Sequence, residues 1–161
     1  MEIRAARPDD AEAIRSIYNA EVAGSTVTFD LVERTVAEQA EWMAQHAGVY
    51  ALLVAVDGVE IIGFASLSPY RPRPAYSTTV EDSVYVAATH RRRGVGAALL
   101  TELVAAARLH GFHAVIARIV GDHKASIALH RSCGFELIGT EREVGRKFGR
   151  WLDVDLMQLL L

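Results

Sequence analysis

The stretch EDSVYVAATHRRRGVGAALL, Glu81 to Leu100, decides how this chain is read. Ser83-Val84-Tyr85-Val86 has the β-branched and aromatic content of a strand, and from Val95 to Leu109 apolar residues recur at helical spacing. Between them stands Arg91-Arg92-Arg93-Gly94-Val95-Gly96. Glycine lets backbone come close to a ligand, and a helix start presents unpaired N–H groups at the positive end of its dipole. A strand, basic glycine turn and helix in that order therefore suit a phosphate, and the three arginines add charge at the same place. The reading is a pyrophosphate site; the plain alternative is a solvated basic loop.

Upstream, Ile3 to Arg7 reads as a short edge strand, and Pro8-Asp9-Asp10 as the entry of a helix carrying Ala11, Ile14, Ile17, Tyr18 and Val22 on one face and ending at Gly24. Ser25 to Phe29 is extended or a loop. Thr35 and Glu38 have the spacing of a capping box, which starts a second helix with Val36, Ala40 and Met43 as its expected buried face. Ala51 to Val56 and Ile61 to Leu67 flank Asp57-Gly58 and should pair as a hairpin. The loop from Pro69 to Pro74 is too rich in proline for ladder bonding, and Thr78 to Ala87 forms the strand that enters the opening motif. Downstream, Gly111 stops the long helix and His113 to Val120 is a strand. Asp122 can cap a helix from His123 to Cys133, and Phe135 to Glu143 and Leu152 to Leu161 read as a last hairpin turning near Gly149. The order predicts a mixed α/β fold, a mixed central sheet flanked by helices, with residues 1–161 as one domain.

At 161 residues the chain can bury a substantial core. Its 51% hydrophobic and 23% charged residues are those of a soluble globular protein, with no apolar run long enough for a membrane helix. The N-terminus lacks a secretory profile, so the expected location is cytoplasmic, without a membrane partner. One cysteine, Cys133, excludes an internal disulfide, and the six histidines show no metal-ligand spacing, so no metal is expected. A net charge of −3 argues against nucleic acid as a partner.

Two nucleotide folds compete for a glycine-rich turn, and neither matches. The dinucleotide fingerprint needs a third glycine near the first strand, and the P-loop needs G-x-x-x-x-G-K-[ST]; both are absent. The pattern present is R-x-x-G-x-G, Arg91 to Gly96, between a strand and a helix. On these residues the chain resembles the GNAT superfamily of N-acetyltransferases. The likeness continues through Ile17-Tyr18-Asn19, Ser25 to Phe29, Arg71 to Tyr76, Thr79 to Val86, Ser126 to His130 and Gly149 to Val154. Across these segments it is similar to the phosphinothricin and methionine sulfone or sulfoximine acetyltransferases.

The resemblance implies the GNAT acyl-CoA N-acyltransferase fold and acetyl-CoA as cosubstrate. It puts the pyrophosphate on Arg91, Arg92, Arg93, Gly94, Val95, Gly96 and Ala97, and the pantetheine arm along Val84, Tyr85 and Val86, one of whose N–H groups would face the oxyanion. It places the general base at Glu81. His130 stands where many relatives have a Tyr and is an acid, a base partner or a contact. His123 replaces a common Asn near the cofactor, with Ser126 one turn further. For the acceptor, Arg71 and Arg73 can clamp an acidic group, while Phe29, Tyr76 and Thr78 can shape the pocket. Lys147, Trp151 and Asp153 lie on the terminal hairpin, which in relatives contributes to a homodimer. The implied reaction is acetyl transfer to the α-amine of a small amino acid analogue. The alternatives are another amine (a polyamine, an antibiotic or a protein N-terminus) and a non-catalytic acyl-CoA sensor.

Overall fold

The fold was obtained as a computed structural model that describes residues 1–161. Seven strands form one sheet: β1 (Glu2–Ala5), β2 (Leu52–Asp57), β3 (Glu60–Pro69), β4 (Thr79–Val86), β5 (Ala114–Val120), β6 (Glu136–Lys147) and β7 (Arg150–Leu160). Their spatial order is β1-β2-β3-β4-β5-β7-β6, and every neighbouring pair is antiparallel except β4 with β5. Four helices cover the faces: α1 (Ala11–Gly24), α2 (Val36–Gln45), α3 (Val95–Leu109) and α4 (Lys124–Ser132).

Strand alternation sorts the core into two layers. Ala55, Ala65, Leu67 and Val80 point to the side where α3 buries Leu99, Leu100, Leu103 and Ala107. Leu52, Val54 and Phe64 point to the other side, against Ile14, Tyr18 and Val22 of α1. Along β4 this places Val80, Val84 and Val86 on the α3 side and Tyr85 on the α1 side. Asp82 consequently shares the α3 side, and Glu81 and Ser83 share the α1 side.

The parallel pair is where the sheet opens. Strands β4 and β5 are in register only at Thr79–Ala114, Val80–Val115 and Glu81–Ile116. Beyond Glu81 they part, while β3 stays paired with β4 as far as Gly63–Val86 and β7 with β5 as far as Val120–Val154. Alternate backbone N–H and C=O groups of β4 after Glu81 therefore face a gap with no strand in it.

Local signals explain most element ends. The Thr35 box forms on both sides: Glu38 N donates to Thr35 Oγ1 at 3.2 Å and Thr35 N donates to Glu38 Oε2 at 2.8 Å. The expected inner face of α2 is not the observed one. Val36 and Ala40 are exposed, and the helix turns Gln39, Trp42 and Met43 inward. Gln39 gains from this a hydrogen bond from Arg34, whose guanidinium lies 4.5 Å from the Trp42 ring. Pro8–Asp10 forms a 3-10 turn before α1 rather than its first turn. Strand β6 runs four residues past its expected end, and the hairpin turns at Phe148-Gly149, both with positive φ.

Candidate active site

The cleft in the sheet encloses about 810 Å³. One wall is β4 from Asp82 to Val86, the other is β5 from Ala117 to Val120, and α4 contributes Ser126, Leu129 and His130. At the open end stand Arg91, Arg92 and the head of α3, Gly94 to Ala97. Four residue steps along β4 separate the two ends, roughly 13 Å at strand rise.

The turn that feeds α3 is built as its sequence predicts. Arg92 and Gly94 take left-handed φ values of 60° and 80°, so the chain reverses tightly and Gly94 becomes the N-cap. The first helical bond is Ala98 N to Gly94 O at 3.0 Å, which leaves the N–H groups of Val95, Gly96 and Ala97 without helical partners. Gly96 has the tightest surroundings of the three. A Cβ there would come 3.1 Å from Leu129 Cδ2 and 3.7 Å from Val86 Cγ2, both on residues of the cleft wall. An 810 Å³ cleft with free N–H groups and arginines at one end fits an acyl-CoA, with Val95, Gly96, Ala97 and Arg92 at its phosphates. Arg91 is engaged within the protein: it donates to Val86 O through Nε and forms an ion pair with Glu21 at the end of α1. Arg93 is exposed and is not part of the cleft wall.

At the closed end lies an ion pair that the sequence reading did not include. His130, 3% exposed, brings Nε2 to 2.9 Å from Asp82 Oδ2. Its Nδ1 lies 2.8 Å from Ser126 O, an atom that can only accept, so Nδ1 carries a hydrogen. Burial by itself lowers the imidazolium pKa, but the hydrogen bond and charge of Asp82, with the Ser126 carbonyl, outweigh it and the pKa is raised. The other carboxylate oxygen, Asp82 Oδ1, is buried without a hydrogen-bond partner. The signal for Asp82 was present in the sequence, since neighbours on a strand face opposite sides and Glu81-Asp82 must put one carboxylate on each.

Glu81 is the carboxylate on the α1 side, at the last pair before the strands part. Burial raises its pKa above the ordinary carboxylate range, and Arg118 partly offsets this. Arg118 is itself tied to Glu141 of β6 at 2.6 Å. Near Glu81 on this face, a 70 Å³ pocket is lined by Tyr18, Arg34, Ser66, Ser68, Ser83 and Tyr85 among others. Its guanidinium is sandwiched by rings, 3.8 Å from Tyr18 and 4.5 Å from Trp42, and Arg34 takes part in none of the six ion pairs. Arg34 was not anticipated, because an arginine between Glu33 and Thr35 looks like a loop charge until the aromatic residues meet around it.

The remaining expected residues are more scattered. His123 is at the cleft and, instead of Asp122, is the N-cap of α4: its Nδ1 accepts from Ser126 N at 3.1 Å. Arg71, Arg73, Tyr76 and Thr78 lie on the exposed connection between β3 and β4, with the Arg71 guanidinium 5.0 Å from the Tyr70 ring. The Thr78 carbonyl accepts from His113 N, which fixes the start of β5. Phe29 packs its ring over Gly145 of β6, leaving no room for a Cβ there. On the terminal hairpin, Lys147 is buried and donates to Thr28 O at 2.9 Å, Asp153 accepts from Glu143 N, and Trp151 is exposed. No three His, Cys, Asp or Glu side chains are grouped to hold a metal ion, and no helix is long and apolar enough to cross a membrane.

Comparison with known proteins gives the same picture over nearly the whole chain. A family model described as an acetyltransferase (GNAT) domain matches residues 3–156. A phosphinothricin N-acetyltransferase of Streptomyces coelicolor is 40% identical over 158 residues, 96% of this chain and 92% of that protein. An L-methionine sulfoximine/L-methionine sulfone acetyltransferase of Pseudomonas aeruginosa is 41% identical over 161 residues, covering 99% and 94%. Among solved structures, a GNAT superfamily phosphinothricin acetyltransferase from Sinorhizobium meliloti in complex with AcCoA superposes with a TM-score of 0.96. It is 41% identical, over 99% of this chain and 88% of that one.

Proposed function

The chain belongs to the acetyltransferase (GNAT) family and uses acetyl-CoA, and on that premise we propose that it acetylates the α-amine of a small amino acid analogue such as L-phosphinothricin, methionine sulfone or methionine sulfoximine. The observation that carries the reading is the placement of Glu81. It stands where the cleft closes, but on the opposite face from the α3 helix, beside a pocket containing Arg34 and three serines. The names of the relatives supply the substrate class.

On this reading acetyl-CoA enters with its phosphates at Arg92 and Gly94 to Ala97 and its thioester toward Asp82. The amine approaches from the α1 side, where Glu81 removes a proton. A carboxylate held above its ordinary pKa by burial is a stronger base than an exposed one, which suits an ammonium substrate. A β4 N–H facing the gap stabilises the oxyanion. Arg34, with Arg71 and Arg73 on the neighbouring loop, receives the acidic group of the acceptor. Val144, Phe148 and Trp151 are exposed on the terminal hairpin and support pairing with a second copy.

The test is a thiol-release assay with acetyl-CoA over amino acid analogues, polyamines, aminoglycosides and peptides. Selective turnover of the amino acid analogues, lost at least about 100-fold in Glu81→Gln, is the expected outcome. Turnover confined to another amine class would replace the substrate assignment. Wild-type activity in Glu81→Gln at every pH would remove that residue from the chemistry.

A further inference from the structure

We propose that Asp82 carries a proton from the attacking amine to the departing CoA sulfur, with His130 behind it as its positioning residue. This rests on the reading that the thioester lies at the closed end of the cleft, and it does not depend on which amine is the acceptor.

The argument begins with what His130 cannot do. Its Nδ1–H is spent on Ser126 O and its Nε2 faces Asp82 Oδ2. The Phe135 ring closes against its side, with centroids 5.1 Å apart. No nitrogen of the ring is open to the cleft, so an acid or base role for His130 must pass through Asp82. One proton lies between Nε2 and Oδ2, on the imidazole or on the carboxyl. In both cases the remaining oxygen, Oδ1, is an acceptor. That atom is buried and unpartnered in a residue of the cleft wall. A buried acceptor left without a donor is rare in a folded protein, and here the donor must come with the ligand.

Asp82 is also the first residue beyond the last β4–β5 pair, so it marks the point the cleft reaches furthest from the phosphate turn. The N–H donor expected there is the amine as it attacks. The amine nitrogen bonds to the thioester carbon, and the zwitterionic intermediate has one proton too many on nitrogen. Oδ1 takes that proton, and Oδ2 is left with the Nε2–H of His130, giving a cationic pair beside the sulfur. The C–S bond then breaks with its electron pair on sulfur, and the proton on Oδ1 moves to that thiolate. The products are amide and CoA thiol, and the pair returns to its starting state. No oxidant, reductant or solvent proton is required. The proton that the ammonium loses before attack goes to Glu81, on the other face of the sheet.

Another N–H donor is available in the complex, the last amide of the pantetheine arm, and substitutions at Asp82 distinguish the two. Asp82→Asn keeps an acceptor oxygen and the shape but cannot carry a proton; Asp82→Ala removes both. For proton carriage, each variant lowers kcat about 10- to 100-fold, while the KM for acetyl-CoA stays within about twofold. His130→Gln, which can still donate to Oδ2, also lowers kcat without moving that KM, but by less than Asp82→Asn. The proposal is overturned if Asp82→Asn turns over like wild type, whether or not Asp82→Ala weakens acetyl-CoA, because the oxygen then only binds the arm. Should the alanine protein not fold, the near-isosteric asparagine variant decides alone. The comparison uses whichever amine gives thiol release in the panel. If none does, it uses hydrolysis of acetyl-CoA, in which water gives up its proton by the same route.

Discussion

Replacing Gly96 with alanine separates what the head of α3 does for the fold from what it does for the ligand. The new Cβ would stand 3.1 Å from Leu129 Cδ2, 3.7 Å from Val86 Cγ2 and 4.0 Å from Val84 Cγ1. Only the first contact is tight, and Leu129 is a half-buried side chain whose end can shift by the few tenths of an ångström needed. Pushing it off its rotamer costs about 0.5–1.5 kcal/mol. Exchanging glycine for alanine in a helix returns up to about 1 kcal/mol. The two nearly offset, so unfolding stability should change by less than about 1 kcal/mol, a shift in Tm of only about 2–4 °C for a chain of this size. Binding has no such compensation. Every atom the methyl meets belongs to a residue of the cleft, and backbone N–H groups beside it would be held back from the phosphates. Loss of one hydrogen bond to a charged group is worth about 1.5–3 kcal/mol, so the Kd for acetyl-CoA should rise about 10- to 100-fold. Titration calorimetry with acetyl-CoA, paired with denaturant unfolding, reads both numbers. An unchanged Kd in a stably folded variant would refute the placement of the phosphates at this turn, and a collapse in Tm would mean that Gly96 serves packing instead.

Glu21→Gln should act in the opposite direction: with its partner neutral, Arg91 is free to meet the phosphates, and acetyl-CoA binds about three- to tenfold more tightly at low salt, with a steeper decline as salt is added. Weaker binding would instead make Glu21 the residue that holds Arg91 in place. His130→Gln has a signed effect on stability. A raised folded pKa means that the wild type holds its full advantage below the unfolded value of 6.5 and loses it as pH rises through the folded pKa. Urea unfolding at a series of pH values should show the variant's deficit shrinking toward alkaline pH, and a deficit that grows there contradicts the charged pair. Arg34→Gln should raise the KM for an acidic acceptor about 10-fold or more while leaving that for acetyl-CoA unchanged, from the loss of one charge-assisted contact. Equal losses for an amino acid and its amide would mean that Arg34 is only packing between Tyr18 and Trp42.

What the sequence made legible was local. The strand, the left-handed turn at Gly94 and the start of α3 follow from residues within a few positions of each other, as does the Thr35–Glu38 box. The inner face of α2 was not, because Val36 and Ala40 are the apolar choice by spacing, whereas Gln39 is drawn inward by Arg34, five residues away and outside the helix. The second wall of the cleft was also hidden. Nothing in Ala114 to Val120 announces that only three residues will pair with β4, since the parting depends on where β7 and α4 hold β5. Likewise, the asparagine expected at His123 suggested a cofactor contact, but the ring that replaces it serves the helix end.

The opening of the sheet gives the neighbouring carboxylates of Glu81 and Asp82 different tasks. Amide formation from an ammonium requires two protons to leave nitrogen, and only one of them reaches bulk solvent, because the sulfur keeps the other. A single base would have to release its first proton before it could take the second. On β4 the pleat sends Glu81 to the α1 side, next to the acceptor pocket, and Asp82 to the α3 side, against a buried histidine. The strand edge between them borders the gap in which the thioester lies. On the proposed assignment the first proton therefore leaves through Glu81 and the second travels only the width of the reacting centre to sulfur. This division predicts that Glu81→Gln and Asp82→Asn fail differently. Loss of Glu81 should be offset at high pH, where the amine arrives already neutral, so kcat/KM of the variant climbs with pH toward the amine pKa. Loss of Asp82 should not be offset at any pH, since the proton it moves exists only after the C–N bond has formed. Parallel pH profiles for the two variants would mean that both carboxylates act on the same proton, and the separation by the sheet would then have no chemical consequence.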